Sequence, residues 1–146
     1  LRVCRAASRL CARLGWTAIP EVPLPSGRRL DLLALDGDGG FTAIEVKSCA
    51  RDFLTDAKWW EYREWCDRLY FAVDLDFPQA LLPDDVGLIV ADDGDAAILR
   101  HPAEHKLPPA RRRSLLLRYA RLSAARLQML ADPAGAAEMR AALRVE

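Results

Sequence analysis

No stretch of this sequence approaches the ~18 consecutive apolar residues that a membrane-spanning helix needs. Its first turn carries Arg2, Arg5 and Arg9 without the apolar segment of a secretory leader behind them. The protein is therefore expected to be soluble and cytoplasmic, with no membrane partner. None of the four cysteines (Cys4, Cys11, Cys49, Cys66) stands in a CxxC pair or at finger spacing, which excludes a zinc finger and leaves them as free thiols of an intracellular chain. The two histidines, His101 and His105, are interrupted by Pro102 and lack the zinc-peptidase arrangement, so no metal role is expected of them. There is no internal repeat, no low-complexity tract and no RNA-recognition motif. Net charge is absent too, and a chain at +0 is no indiscriminate polycation.

The charge that is present is unevenly spread. Residues 1–30 hold six Arg against Glu21 alone, residues 31–99 hold sixteen acids against five bases, and residues 100–126 return eight bases against one acid. Basic ends around an acidic middle suit a metal-binding centre flanked by phosphate-facing surfaces, and suit ordinary solvated helix faces equally well. With 146 residues, 51% of them hydrophobic, the chain can bury one core without staples, and a single domain over 1–146 is expected.

Apolar periodicity predicts a helix over residues 2–14, with Arg2, Arg5, Arg9 and Arg13 on one stripe, Val3, Ala7, Leu10, Cys11 and Leu14 opposite, and Gly15 as the stop. Residues 16–24 contain Pro20 and Pro23 and read as an edge strand or irregular extended chain. Residues 28–35 and 41–47 are apolar strand-formers around the turn Asp36-Gly37-Asp38-Gly39-Gly40, which makes a hairpin. A helix is expected from Thr55 to Cys66, burying Trp59, Tyr62 and Cys66. Strands follow at 69–73, 86–91 and 96–100. A long helix from about Arg112 to Leu130 is expected to turn Leu116, Tyr119, Leu127 and Leu130 inward and Arg118 and Arg121 outward, with Asp132-Pro133 ending it. Residues 134–146 read as a further short helix or a frayed end. These elements predict an α/β (α+β) fold, a mixed central sheet flanked by helices.

A turn symmetric about Asp38 sets Asp31 opposite Glu45, with Cβ atoms about 4.5–5.5 Å apart, and Lys47, two residues on, points to the same face. Opposed carboxylates repel unless a cation lies between them. Mg²⁺ or Mn²⁺ held by Asp31, Glu45 and the Val46 carbonyl removes that penalty, polarises a phosphoryl oxygen and acidifies a bound water, while the Lys47 ammonium orients the nucleophile or offsets charge on phosphorus. Asp31, Glu45 and Lys47 are thus the candidate catalytic residues of a phosphodiester hydrolase using one ion. Polar groups interrupting apolar strands at matched positions favour a site over surface charge. Arg111, Arg112, Arg113, Arg118, Arg121 and Lys58 are candidate phosphate contacts, with a solvated run as the plain alternative. Ser48 has no His partner and reads as a cap or a hydroxyl near the ion. No function attaches to the acidic turn Asp92-Asp93-Gly94-Asp95.

Asp31 followed by Glu45-Val46-Lys47 resembles the PD-(D/E)xK nuclease superfamily. A wider likeness, over PEVPLPSGRRLDLLAL, IEVKS, KWWEYREWCDRLYFAV, LPDDVGLIVAD and HKLPPARRRSLLLRYARL, is to the MmcB-type family of DNA-repair endonucleases. That resemblance implies a restriction-endonuclease-like fold and a DNA-repair role alongside DNA and other repair proteins. Residues 1–14 lack the acid that the wider superfamily often adds from its first helix, leaving Glu21 as the nearest substitute and one ion as the expectation. A DNA-binding or scaffolding module of the same fold with weak or no hydrolysis is the alternative, and an RNA-acting nuclease is a third.

Overall fold

A computed structural model describes residues 2–146. They fall into two compact units, one ending at Leu107 and one spanning Pro108–Glu146.

The first unit is a six-stranded mixed sheet in which spatial order follows chain order: β1 (Thr17–Pro23), β2 (Arg29–Leu35), β3 (Phe41–Val46), β4 (Arg68–Asp74), β5 (Gly87–Asp92) and β6 (Asp95–Arg100). The first three strands form an antiparallel meander, β3–β4–β5 are parallel, and β6 returns antiparallel. Pro20 is accommodated because β1 lies at the sheet's edge, where a missing N–H costs no ladder bond. The parallel strands are buried on both faces, which explains why they read as continuous apolar runs rather than alternating ones.

One sheet face is covered by α1 (Arg2–Arg13), whose Ala6, Ala7, Leu10 and Cys11 pack with Leu32, Ala34, Ile44, Tyr70, Ala72 and Ile89. Leu14, expected on that stripe, is 43% exposed because the helix ends at Arg13 and Gly15 turns the chain with φ +75°. On the other face Phe53 and Trp59 pack edge-on against Phe71, each with ring centroids 5.4 Å from it.

The expected helix over 55–66 is replaced by two pieces: α2 (Ala50–Thr55) and a 3-10 helix over Trp59–Trp65. Asp56 ends α2 with ψ 76°, turning its side chain to buried partners described below. The large aromatic residues Trp59, Tyr62 and Trp65 then recur every third residue, the period at which a 3-10 helix stacks one face. Tyr62 and Cys66 are buried as expected, Trp59 is half-buried, and Trp60 is left 53% exposed.

The second unit comprises α3 (Pro109–Ala131), a single 3-10 turn at Pro133–Gly135 and α4 (Ala136–Leu143). Pro109 starts α3 where a missing N–H is harmless, and the Asp132 side chain accepts from the Gly135 amide after it ends. The face assignment needs correction: Leu115, Leu122, Ala125 and Met129 are buried, whereas Leu116, Leu127 and Leu130 are 45%, 67% and 78% exposed. The run Leu115-Leu116-Leu117 makes the helix apolar over much of its circumference, so two stripes one residue apart fit the period and only packing separates them. No helix among the described residues is long and apolar enough to cross a membrane.

Candidate functional site

The turn between β2 and β3 is closed by its own first residue. Asp36 Oδ1 accepts from the Asp38 and Gly40 amides at 2.9 and 2.8 Å, and Oδ2 meets the Arg68 guanidinium at 2.6 Å. That turn fixes the register Leu32↔Ile44, Leu33↔Ala43, Ala34↔Thr42 and Leu35↔Phe41, so the next step outward brings Asp31 opposite Glu45. Side chains occupy the ladder there: the Asp31 amide donates to Glu45 Oε1 at 3.1 Å, and the Val46 amide donates to Asp31 Oδ2 at 2.8 Å. Each carboxylate is thereby oriented by the other residue's strand. Glu45 is 3% exposed and aligned with Phe71 of β4, so it lies on the face away from α1.

Lys47 continues β3 through its amide, which donates to the Ala72 carbonyl at 3.0 Å, and the residue is 5% exposed. A buried ammonium needs a counter-charge, and Asp56 supplies it, accepting from Lys47 Nζ at 2.8 Å on Oδ2 and from Arg28 Nη2 at 2.8 Å on Oδ1. Arg28 also lies 4.6 Å over the Tyr62 ring, whose hydroxyl donates to the Arg29 carbonyl at 3.3 Å. Neither Asp56 nor Arg28 stood among the candidate residues. The signal that could have found Asp56 is the buried lysine itself, which requires an acid nearby.

Burial, followed by the negative charge of Asp31, pushes the Glu45 carboxyl up to about 8 despite the Asp31 amide and Lys47 acting the other way. Burial also raises Asp31, with the Val46 amide and then Lys47 opposing it. Burial alone would raise Asp56 as well, but its bonds from Lys47 and Arg28 win and hold it below the usual carboxylate range. The folded pKa of Glu45 exceeds its ordinary 4.5, so its contribution to stability is complete below ~4.5 and is lost as pH rises toward 8, at up to about 1.4 kcal/mol per pH unit. Metal-free protein should therefore lose stability from pH 5 to 8 beside Asp31, Lys47, Asp56 and Tyr62, and Glu45→Gln should flatten that slope. Urea melts in EDTA across this range measure it; identical slopes in the two proteins would mean that Glu45 is ionised throughout.

These donors fit a hard divalent cation. Asp31 and Glu45 each commit one oxygen to a backbone amide and keep the second for another partner. The Val46 N–H points toward Asp31, and a strand residue turns its C=O to the same side as its N–H, so the Val46 carbonyl is turned toward β2 as well. Among the described residues no group of three or more His, Cys, Asp or Glu clusters at metal-holding range. The protein's share of a shell would be two carboxylates and a carbonyl, with waters and phosphate supplying the rest, as suits Mg²⁺.

Glu21 would face Asp31 by strand register, but its backbone is left-handed (φ 49°), its carboxylate is 65% exposed, and it pairs with Arg29 at 3.6 Å. Ser48 is not the cap of α2, whose N-cap is Cys49; its amide and hydroxyl both donate to the Asp52 carboxylate, at 2.9 and 3.2 Å. Lys58 is exposed next to the site, its amide donating to Asp56 at 3.4 Å. The acidic turn proves to be a partner for α1: Arg13 meets Asp95 at 2.6 Å and Arg9 Nε donates to the Gly94 carbonyl at 3.1 Å. His101 Nδ1 lies 3.0 Å from the Tyr70 hydroxyl. Arg111, Arg112, Arg113, Arg118 and Arg121 all belong to the second unit, where Arg113, Arg118 and Arg121 line one groove with Arg144.

Comparison with known proteins adds an independent line. A family profile described as DNA repair protein MmcB-like matches residues 1–134. A protein of unknown function from Silicibacter pomeroyi is 44% identical, covering 92% of each chain with a TM-score of 0.87. A repair endonuclease from Pyrococcus abyssi is 17% identical over 47% of this chain and 35% of its own, with a TM-score of 0.32, too low to argue a shared fold. No curated protein sequence matches.

Proposed function

The chain belongs to the MmcB-like family of DNA repair proteins, and from that premise we propose that it is an endodeoxyribonuclease of PD-(D/E)xK type, dependent on one Mg²⁺ or Mn²⁺ ion. The observation that carries the proposal is the mutual lock of Asp31 and Glu45 across the hairpin, with buried Lys47 following on the same strand. Paired carboxylates in a buried setting are costly without a cation, and nothing in the sheet's packing requires them.

Asp31, Glu45 and the Val46 carbonyl hold the ion, which supplies Lewis acidity and an acidified water when bound. The hairpin fixes both carboxylates before substrate arrives, so no reorganisation is needed during the reaction. Lys47, held by Asp56 at 2.8 Å, stabilises negative charge developing on the phosphoryl oxygens. Lys58 and the arginines Arg111, Arg112, Arg113, Arg118 and Arg121 contact DNA phosphates. Membership of a DNA repair family supports DNA as the partner; other repair proteins and a cytoplasmic setting belong to the proposal alone.

The test uses nicked, forked, gapped and supercoiled DNA with Mg²⁺, Mn²⁺, Ca²⁺ or EDTA. Cleavage is expected with Mg²⁺ or Mn²⁺ and not with EDTA; cleavage insensitive to chelation would end the metal-dependent reading. One observation favours a second reading, a DNA-binding module with weak or no hydrolysis: the hydrogen bond of Lys47 goes to Asp56 and not to the site's carboxylates. DNA binding without cleavage on any of these substrates would select it.

A further inference from the structure

The second unit contains a groove of about 540 Å³ whose chemistry is set by one face of α3. Arg113, Leu117 and Arg121 recur every fourth residue with Arg118 beside them, which stacks their side chains along about 12 Å of helix. The left-handed residue Arg144 (φ 47°) ends α4, and Arg144 and Val145 line the same groove. Four guanidinium groups thus border the cavity and no acidic residue does. Among the described residues, no hydrogen bond or ion pair engages the guanidinium of Arg113, Arg121 or Arg144, and all three are exposed. Elsewhere in the molecule arginines are commonly paired, as Arg13, Arg28, Arg63, Arg68 and Arg126 are. The three unengaged guanidinium groups on one concave surface select for anions.

We propose that this groove binds a single strand of nucleic acid, with phosphates on Arg113, Arg121 and Arg144 and the strand's unstacked bases over Leu117 and Val145. The volume is that of a site for a small molecule, room for a nucleotide or two and not for the convex body of a duplex. Leu117 is 56% exposed, and such an apolar surface between cations suits base faces that a duplex keeps inside its stack. The proposal deepens the nuclease reading and rests on it only for the class of ligand, giving the chain a strand-holding site in a unit that contains none of the hydrolytic residues.

Anisotropy of a fluorescent 12-nucleotide oligo(dT), titrated in EDTA at several salt concentrations, tests it. The variant R113Q/R121Q/R144Q is expected to bind at least tenfold more weakly, with a log–log salt slope shallower by about 2, since each lost single-strand phosphate contact contributes ~0.7. The lysine counterpart R113K/R121K/R144K, which keeps the charge, should retain the slope, so that a folding defect is told apart from a lost contact. An unchanged slope in the glutamine variant would overturn the proposal. So would equal dependence of a 12-base-pair duplex on the three residues, which would indicate a duplex track. Displacement of oligo(dT) by poly-glutamate at equal charge would also overturn it, pointing to an acidic protein partner. The two proposals fail separately: intact strand binding without any cleavage sinks the nuclease and leaves this site standing, while metal-dependent cleavage by the unmutated protein together with an unchanged salt slope in the glutamine variant does the reverse.

Discussion

Asp31→Ala and Glu45→Ala are each expected to abolish DNA cleavage, whereas Lys47→Ala should slow it by about 10²–10³. The difference follows from what each residue does. Removing either carboxylate takes one of two side-chain ligands from a site that has no third acid among the described residues to replace it, and the ion is lost. It also removes the acceptor for a hairpin amide: Val46 N loses Asp31, or Asp31 N loses Glu45. Lys47→Ala leaves the ligands in place and removes only charge stabilisation worth a few kcal/mol. DNA binding should survive in all three, and without metal Asp31→Ala should bind more tightly, because a negative charge facing phosphate has gone. Single-turnover assays on the best-cleaved substrate decide it. Wild-type rates in both carboxylate variants would place hydrolysis elsewhere.

Asp56→Ala is expected to destabilise the fold by about 3–5 kcal/mol, a drop of roughly 6–20 °C in melting temperature. Among the described residues Lys47 Nζ has Asp56 alone as ion-pair partner, at 2.8 Å, and its side chain is 6% exposed. Arg28 loses its close carboxylate at the same time and is left with Glu61 at 3.7 Å. Asp56→Ala should also reduce cleavage without touching the ion's ligands, because the Lys47 ammonium loses the partner that fixes its position. The double change Lys47→Met with Asp56→Leu should recover most of the stability while leaving cleavage impaired, since a buried pair replaced by apolar groups of similar size is close to neutral. A loss below 1 kcal/mol in Asp56→Ala would show that water, and not Asp56, balances Lys47.

The legible parts of this molecule were those decided by near neighbours in the chain. The hairpin register follows from a five-residue turn and the two-residue period of a strand, so the pairing of Asp31 with Glu45 could be read from the letters. The α1 stripe and the apolar parallel strands were legible for similar reasons. Contacts made across the fold were not. Asp56 lies nine residues from Lys47 and twenty-eight from Arg28, in a segment whose aromatic residues also fit an α-helical period. Choosing between α and 3-10 geometry there depends on Phe71 beneath Trp59, which belongs to a different strand. The buried stripe of α3 was displaced by one residue because its sequence offers two.

Chain order and spatial order coincide across all six strands, and this has a kinetic meaning. Pairings between successive segments lose least loop entropy where the connection is a short hairpin, as in β2–β3, and more across the parallel crossovers of β3–β4–β5. The two carboxylates are fourteen residues apart on the arms of one hairpin, the kind of unit that closes on the microsecond scale. The anionic half of the site can thus form before the chain through Asp56 has docked to neutralise Lys47. The hairpin is thus a local unit of assembly, complete before the longer connection that brings Asp56 to Lys47 has closed.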